Sequence, residues 1–280
     1  MLGAKADSVM TKKPKFQEEK TIQDHYAFGN YRNYYEARRG NQTTDKRLDL
    51  LPGELFHDKH VLDIGCNSGN ITIMIGLQHH PSHILGIDLD DSLIKQAEKQ
   101  LRLVNSLSNP KGNNSTDLQM RFHHFPRALT NLHGWVPITM PPGYQSTVFP
   151  HNVSFETKNW MDINLKGQEN KYDTVLALSI TKWIHIHHGD KGMKDFFKRI
   201  YQVLKPGGIL ILEPQVYETY ERRAKKNDTM KSIFDQIQFL PDQFHDYLMQ
   251  QVGFKEFKDL ESKETTAKRG FNRPLHLYVK

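Results

Sequence analysis

The chain has 280 residues, a net charge of +6 and an isoelectric point near 9.1. This length allows one α/β domain of about 200 residues with an insertion and a tail, and the single cysteine, Cys66, excludes a disulfide framework and a thiolate metal site. No apolar run is long enough to span a bilayer, and the N-terminal residues lack the pattern of a secretory leader. We therefore expect an intracellular protein, not a secreted one, without membrane contact.

The N-terminal region divides into two predicted segments. Residues 1–24 are polar and rich in lysine, which favours a disordered basic tail. The segment HYAFGNYRNYYEARR that follows predicts a lid or helix in front of the core. We therefore expect one folded domain over residues 25–280.

The motif VLDIGCNSGN at residues 61–70 is the most informative segment of the chain. Its first residues predict the end of a buried strand, and Gly65 with Gly69 predicts a tight turn into the apolar helical stretch ITIMIGL. Such a turn lets backbone approach a nucleotide-type cofactor closely, and Asp63, at the end of the strand, can set the N–H groups of the turn. The alternative is a turn in which the glycines serve packing alone.

The strands predicted next carry the acidic residue that such a turn requires. HILGIDLD ends in Asp88, about 20 residues beyond the turn, where a ribose-binding carboxylate belongs, although an ordinary turn residue fits there too. Asn67 replaces the middle glycine, which argues against a nicotinamide dinucleotide because its pyrophosphate needs bare backbone there. KYDTVLALS and LKPGGILILEP, at residues 171–179 and 204–214, predict two more buried strands.

The remaining segments complete a doubly wound α/β fold with a mostly parallel sheet. Residues from about 104 to 151 interrupt the strand pattern as a long insertion. SIFDQIQFLPDQFHDYLMQQVGF predicts an amphipathic helix pair, and RPLHLYVK predicts a final edge strand.

Basic and aromatic residues are interleaved in NYRNYYEARR and beside YERRAKK. This composition suits RNA, because cations contact phosphates and rings contact bases or sugars. Solvated helix faces explain any one of these runs taken alone. The histidine pairs, such as those in HIHHGD, have irregular spacing and no accompanying carboxylate cluster, so we expect no metal.

The order of the glycine turn, the acidic strand end and LKPGG before a strand resembles the class I S-adenosylmethionine-dependent methyltransferases, which have a Rossmann-like fold. Six sequence blocks indicate a more specific family within this class of methyltransferases. FGNYRNYY, DKRLDLL, DIGCNSGN, LSITKWIHIHHGDKG, FKRIYQVLKPGGILILEPQ and KRGFNRP are similar to blocks of the RNA methylphosphate capping enzymes, the Bicoid-interacting protein family. The similarity runs from Phe28 to the C-terminus and omits only the tail and the insertion loop.

This resemblance implies an enzyme that transfers a methyl group from S-adenosyl-L-methionine and leaves S-adenosyl-L-homocysteine. The acceptor it implies is the terminal γ-phosphate at the 5′ end of a small nuclear RNA, which the methyl group caps and stabilises. It also implies a nuclear location, with the cytoplasm as an additional one, and ribonucleoprotein partners.

The resemblance assigns residues to the site as well. Those that would hold the terminal phosphate are Lys182, Arg38 and Tyr34, with His185 and Arg269 as further contacts of the RNA end. Together with Asp63 of the turn, those that would contact the cofactor are Tyr35, Arg47, Gly65, Cys66, Asn67, Asp88, Leu89, Asn159, Trp160 and Leu178. The alternatives are a helix salt bridge for Arg47 and a core position for Trp160.

Other substrates and functions stay open at this point. SITKW has lysine, as in the triphosphate-capping branch, whereas the branch that methylates a 5′ monophosphate on transfer RNA or microRNA precursors tends to have methionine there. The GCNSG turn, however, occurs in that other branch. A mainly non-catalytic ribonucleoprotein component that binds the RNA end is a further alternative. So is a methyltransferase of a small molecule, protein or nucleobase, although the Asn/Asp-Pro-Pro-Tyr/Phe tetrad of amino-group chemistry is absent where SITKW stands.

Overall fold

The computed structural model describes residues 45–107, 127–135, 137–139, 146–260 and 273–280. The predicted tail, the predicted lid and much of the insertion lie outside these residues. The strands are β1 (His60–Ile64), β2 (His83–Asp88), β3 (Val153–Thr157), β4 (Tyr172–Leu178), β5 (Leu204–Glu213), β6 (Glu256–Leu260) and β7 (Leu275–Val279). They form one sheet in the order β3-β2-β1-β4-β5-β7-β6.

Helices connect most of these strands. They are α1 (Arg47–Leu50), α2 (Asn70–Gln78), α3 (Asp91–Leu107), α4 (Arg127–His133), α5 (Thr181–Val203), α6 (Glu218–Ala224), α7 (Asp228–Phe234) and α8 (Phe244–Tyr247). Helix α5 is interrupted at Gly189, where φ is 63° and the backbone is not helical. Short 3₁₀ turns occur at Gly53–Leu55, Trp160–Asp162 and Pro241–Gln243, and a π turn at Leu248–Val252. No helix in the described ranges is both long enough and apolar enough to cross a bilayer.

The sheet is parallel from β1 to β5 and carries helices on both faces. Because successive side chains of a strand point to opposite faces, neighbouring residues of β1, β4 and β5 enter different parts of the core. One face packs with α5 and the other with α2, through Leu62, Val175 and Leu210 on the α5 side and Val61, Leu176 and Ile211 on the α2 side. This arrangement confirms the predicted doubly wound α/β fold with a mostly parallel sheet.

Three strands differ from the sequence-based expectation, and one of them, β3, was not predicted at all. Strand β7 lies between β5 and β6 and pairs antiparallel with both, so the prediction that RPLHLYVK forms an edge strand is wrong. The edge is formed by β6, whose sequence EFKDL is exposed and charged and gives no signal of a buried strand. The predicted helix pair corresponds to α7 and a mixed helical segment over residues 241–252.

Candidate cofactor and phosphate site

The glycine turn lies at the carboxyl end of β1 and leads directly into α2. Gly65, Asn67 and Gly69 all have a positive φ, of 75°, 52° and 73°. A Cβ on Gly69 would lie 2.6 Å from Cζ of Phe155, so this glycine is needed for packing as well as for the bend. A Cβ on Gly65 would lie 2.6 Å from Cδ1 of Ile180, which brings the turn against the segment that follows β4.

The backbone N–H groups of the turn are all bound within the protein. Five consecutive donors have acceptors: Gly65 and Cys66 donate to the Ile87 carbonyl, Asn67 to Oδ2 of Asp88, Ser68 to Oδ1 of Asn67, and Gly69 to the Cys66 carbonyl. A dinucleotide pyrophosphate requires such donors to be free. The turn therefore suits a nucleoside cofactor without a pyrophosphate, as the substitution of the middle glycine predicts.

Asp63 has a different partner from the predicted one. Its carboxylate accepts a hydrogen bond of 2.6 Å from the Thr72 hydroxyl, which ties β1 to α2, while the turn donors go to Ile87 and Asp88. The prediction that Asp63 sets the N–H groups of the turn is wrong, because Asp88 reaches them from the neighbouring strand. Burial raises the pKa of Asp63 to about 6, although the Thr72 hydrogen bond and the Arg47 charge act in the opposite direction.

Asp88 and Leu89 lie where β2 ends, beside the turn. Oδ2 of Asp88 accepts from the Asn67 N–H at 2.9 Å and Oδ1 accepts from the Asp90 N–H at 3.0 Å. Burial raises the pKa of Asp88. The Leu89 N–H also donates to this carboxylate, so three of its roughly four lone pairs are used and one is left to accept a ribose hydroxyl. The Leu89 side chain is 39% exposed and offers the apolar surface on which an adenine can pack.

Three further predicted cofactor residues are Leu178 and Asn159, which lie at or just after the end of a strand, and Trp160, which lies in the core. Leu178 is the last residue of β4, adjacent to β1, and is almost buried. Asn159 caps the short turn after it, since Oδ1 accepts from the Met161 N–H at 3.1 Å. The Trp160 ring is 5% exposed and lies 5.6 Å from the Arg199 guanidinium, so its contacts are those of a core aromatic, the alternative noted above.

Arg47 is buried in an ion-pair network. Its Nη1 donates to Oε2 of Glu213 at 3.1 Å, and its Nε and Nη2 donate to the Asp45 carboxylate at 3.0 and 2.8 Å. These contacts match the salt-bridge alternative. The charge of Arg47 also lowers the pKa of Asp63, at the end of β1.

Lys182 lies in the first turn of α5, directly after β4, among arginines from two other segments. Burial, followed by the charges of Arg273, Arg222 and Arg223, lowers the pKa of Lys182 to about 8. The Lys182 Nζ lies 5.1 Å from the Trp183 ring, and the Arg223 guanidinium lies 5.3 Å from the same ring. We call Lys182, Arg222, Arg223 and Arg273 the cation cluster.

The cation cluster joins residues that are far apart in the sequence. Arg222 and Arg223 lie in α6, within the basic run YERRAKK, and Arg273 lies two residues before β7. Sequence reasoning recognised YERRAKK as basic and assigned Arg269, near the C-terminus, to the RNA end, but it assigned none of Arg222, Arg223 and Arg273 to the site. The signal for their role was the combination of charge and nearby tyrosines, which does not identify the side chains that reach Lys182.

His185 does not belong to the site. Its side chain is completely buried among the rings of Tyr220, Phe239 and Phe244, and its Nε2 lies 2.9 Å from Oδ1 of Asp190. Burial lowers the pKa of His185. The prediction that it contacts an RNA end is wrong, because RNA cannot reach this ring.

Four other predicted site residues lie outside the described residues, namely Tyr34, Tyr35, Arg38 and Arg269. Within the described ranges, no group of three or more His, Cys, Asp or Glu side chains is arranged to hold a metal ion.

Comparison with known proteins identifies the family. The family model of Bicoid-interacting protein 3 matches residues 172–280. A probable RNA methyltransferase of Arabidopsis thaliana is 35% identical to the chain, and the alignment covers 94% of the chain and 83% of that protein. The chain belongs to the Bicoid-interacting protein 3 family.

Two human relatives of the chain have names that specify different RNA substrates. The human 7SK snRNA methylphosphate capping enzyme is 37% identical to the chain, and the alignment covers 93% of the chain and 40% of the human protein. The human RNA 5′-monophosphate methyltransferase is 26% identical over 71% of the chain and 61% of that protein. The chain thus spans about two fifths of the human capping enzyme that it matches.

Proposed function

We propose that this Bicoid-interacting protein 3 family member transfers a methyl group from S-adenosyl-L-methionine to the terminal γ-phosphate at the 5′ end of a small nuclear RNA. One observation carries the proposal. The glycine turn after β1 packs against Ile180, and Lys182 with the cation cluster follows two residues later. The proposed cofactor site and the proposed phosphate site would therefore be neighbours at the carboxyl ends of the central strands β1 and β4.

Methyl transfer to a phosphate oxygen depends more on precise placement of the two reactants than on acid–base catalysis. A terminal phosphate oxygen is already anionic near neutral pH, so it needs no strong general base. The cofactor supplies a methyl group on a positively charged sulfur. The new bond joins that carbon to the phosphate oxygen, the carbon–sulfur bond breaks, and the sulfur keeps the bonding electrons and becomes neutral. The protein must hold the oxygen in line at roughly 3 Å from the methyl carbon, which contributes several kcal/mol to catalysis.

The cation cluster fits this positioning role. Lys182 and the arginines around it can bind the non-reacting phosphate oxygens and orient the chain of phosphates. Since its pKa is about 8, Lys182 carries its charge at neutral pH. It is also the member of the cation cluster closest in sequence to Ile180, the residue that contacts the glycine turn. Arg38, Tyr34 and Arg269 remain proposed contacts of the same RNA end, as the family resemblance implies.

The residues around the turn fit S-adenosyl-L-methionine. The bound N–H groups argue against a pyrophosphate, the remaining lone pair of the Asp88 carboxylate suits a ribose hydroxyl, and exposed Leu89 suits the adenine. Leu178 is proposed as the floor of the pocket and Arg47 as the contact near the methionine end, with Tyr35 covering it. Asn159 is proposed on the adenine side, and Trp160 supports this wall of the pocket from the core.

Two observations support the γ-phosphate over a monophosphate. Lys182 stands where the monophosphate branch tends to have methionine, and one more cation suits one more phosphate. The relative named as a snRNA capping enzyme is 37% identical, whereas the one named as a monophosphate methyltransferase is 26% identical. The GCNSG turn, which also occurs in the monophosphate branch, makes that activity the second candidate. A nuclear location and ribonucleoprotein partners are part of the proposal, because a small nuclear RNA would require them.

The test uses one RNA sequence with three different 5′ ends. The purified chain is incubated with methyl-labelled S-adenosyl-L-methionine and RNA that bears a 5′ triphosphate, monophosphate or hydroxyl. We expect the fastest labelling of the triphosphate, with more than one product formed per enzyme molecule. Label on the hydroxyl RNA at the same rate would contradict the proposal, and product limited to one equivalent would favour a non-catalytic RNA-binding role.

A further inference from the structure

Glu213 ends β5 with a side chain that is fully buried, and within the described part of the chain its carboxylate binds side chains from two different segments. Its Oε2 accepts a hydrogen bond of 3.1 Å from Arg47 Nη1 and another from the Ser179 hydroxyl. Burying a carboxylate costs free energy unless charged or polar partners compensate it. A fold that needs only an apolar strand end has no reason to place an acid here.

Ser179 is the link between Glu213 and the cation cluster. Its hydroxyl donates to Glu213 and accepts a hydrogen bond of 2.7 Å from Arg273 Nη1, which one hydroxyl can do at the same time. Its N–H also donates to the Glu213 carbonyl at 3.1 Å. The φ of Ser179 is 58°, a left-handed conformation that serine adopts at a cost, so the surrounding contacts hold it there.

The two arginines joined in this way face different halves of the site. The charge of Arg47 acts on Asp63 at the end of β1, beside the glycine turn. The charge of Arg273 acts on Lys182 in the cation cluster. One buried carboxylate therefore connects the half that would bind the cofactor with the half that would bind the RNA phosphates.

We propose that Glu213 is a positioning residue that sets Arg47 on the cofactor side directly and Arg273 on the phosphate side through Ser179. This inference rests on the proposed function and deepens it. A transfer between two bound molecules depends on their relative placement, and a shared anchor fixes both arginines to the ends of adjacent strands β4 and β5.

Substitutions of Ser179 and Glu213 separate the two arms of this connection. Ser179→Ala removes the link to Arg273 and leaves the Arg47–Glu213 contact in place. Ser179→Gly removes the same hydroxyl but also relieves the positive φ, so it controls for backbone strain. Glu213→Gln weakens both arms. Asp173→Asn is the matched control, because Asp173 is a hydrogen-bonded carboxylate on β4, near its opposite end, that binds Lys205 and the His60 N–H.

The measurements are the affinity for S-adenosylhomocysteine by calorimetry and the KM for RNA with a 5′ triphosphate. We expect Ser179→Ala and Ser179→Gly to raise the RNA KM about tenfold and to leave the S-adenosylhomocysteine affinity unchanged. Glu213→Gln should weaken both by a similar factor. Asp173→Asn should lower the unfolding temperature without changing either value.

Two outcomes would overturn the inference. One is a wild-type RNA KM in both Ser179 variants, and the other is an equal loss of cofactor affinity and RNA affinity in Ser179→Ala. If Glu213→Gln does not fold, the two Ser179 variants decide the question alone. Failure of the proposed function would appear elsewhere, as wild-type protein that does not distinguish RNA by its 5′ phosphates.

Discussion

The backbone N–H of Lys182 donates to Oε1 of Gln215 at 2.8 Å, so a side chain that follows β5 holds the first turn of α5. The Thr181 hydroxyl lies 3.2 Å from the same oxygen and accepts from the Gln215 N–H. These contacts fix the backbone of Lys182 while its side chain extends into the cation cluster. A lysine on an ordinary surface helix has no such support, and this favours a role for its ammonium group.

Lys182→Met tests that role and the choice of substrate together. We expect kcat/KM for RNA with a 5′ triphosphate to fall about 100-fold, because a charge-assisted contact to phosphate is lost. The loss for a 5′ monophosphate should be smaller, and affinity for S-adenosylhomocysteine should not change. Steady-state kinetics with both RNAs measure this, with exposed Lys226→Met from the same basic region as the control. Equal loss for both RNAs would contradict the assignment of Lys182 to the additional phosphate.

The pH dependence of the reaction should report the protonation of Lys182. Burial and the neighbouring arginines lower the pKa of Lys182 to about 8, so its charge is present below that pH and lost above it. We expect kcat/KM for triphosphate RNA to decline as the pH rises through about 8. Lys182→Arg should move the decline to higher pH, since a guanidinium stays protonated. An identical profile for both proteins would exclude Lys182 as the titrating group.

The charge of Lys182 should lower the free energy of unfolding, compared with an uncharged side chain at the same position. The pKa of Lys182 is lower in the folded state than the 10.5 of an ordinary lysine, so folding disfavours its charged form. At pH 7 we expect Lys182→Met to raise the free energy of unfolding by about 2 kcal/mol. Between pH 8 and 10.5 the unfolded state binds the proton more strongly, so the difference should shrink as pH rises. Denaturant unfolding at pH 7 and pH 10 measures it, and a variant that is less stable at pH 7 would contradict the prediction.

Asp88→Ala should affect the cofactor and not the RNA. The substitution removes the proposed acceptors for the ribose and also the acceptor of the Asn67 N–H in the turn. We expect the affinity for S-adenosylhomocysteine to fall at least about tenfold, as for other lost hydrogen bonds to a charged group. Calorimetry measures this, and RNA binding in the absence of cofactor serves as the internal control. Unchanged cofactor affinity would place the nucleoside elsewhere.

RNA affinity should depend steeply on salt. Arg223 is buried, so three contacts to phosphates, from Lys182, Arg222 and Arg273, would give a slope of about −2 in a plot of log affinity against log salt concentration, because each single-strand contact contributes about −0.7. Arg222→Gln should weaken binding and reduce the magnitude of the slope by about 0.7. Fluorescence anisotropy over a salt series measures both. A flat response in the wild-type protein would remove the electrostatic part of the proposal.

Local patterns in the sequence were sufficient to predict four strands around the glycine turn, namely β1, β2, β4 and β5. The turn residues and Asp88 follow from apolar runs and short spacings, and the structure places them together. The position of β7 could not be predicted in this way, because strand order between β5 and β6 depends on contacts between distant segments. The exposed and charged strand β6 has only Phe257 and Leu260 as apolar residues, which is too weak a pattern to predict a buried strand.

The same difference between local and distant information explains which site residues the sequence predicted wrongly and which it missed. His185 follows Lys182 by three positions in SITKWIH, yet rings from later segments, Tyr220, Phe239 and Phe244, enclose it. Conversely, Arg273 reaches the site only because β7 returns beside β5. Charge runs indicate that a basic surface exists, but only the fold determines which of their residues meet.

The position of the methyl group in the product tests the central claim most directly. RNA with a 5′ triphosphate is labelled with methyl-labelled S-adenosyl-L-methionine and then divided between a phosphatase and a pyrophosphatase. We predict that the label survives the phosphatase, which cannot remove an esterified terminal phosphate. The pyrophosphatase should release it from the RNA as methyl phosphate or methyl diphosphate, according to which anhydride bond it cleaves. Label that stays with the nucleosides after complete digestion would show a base or ribose to be the acceptor and would contradict the account.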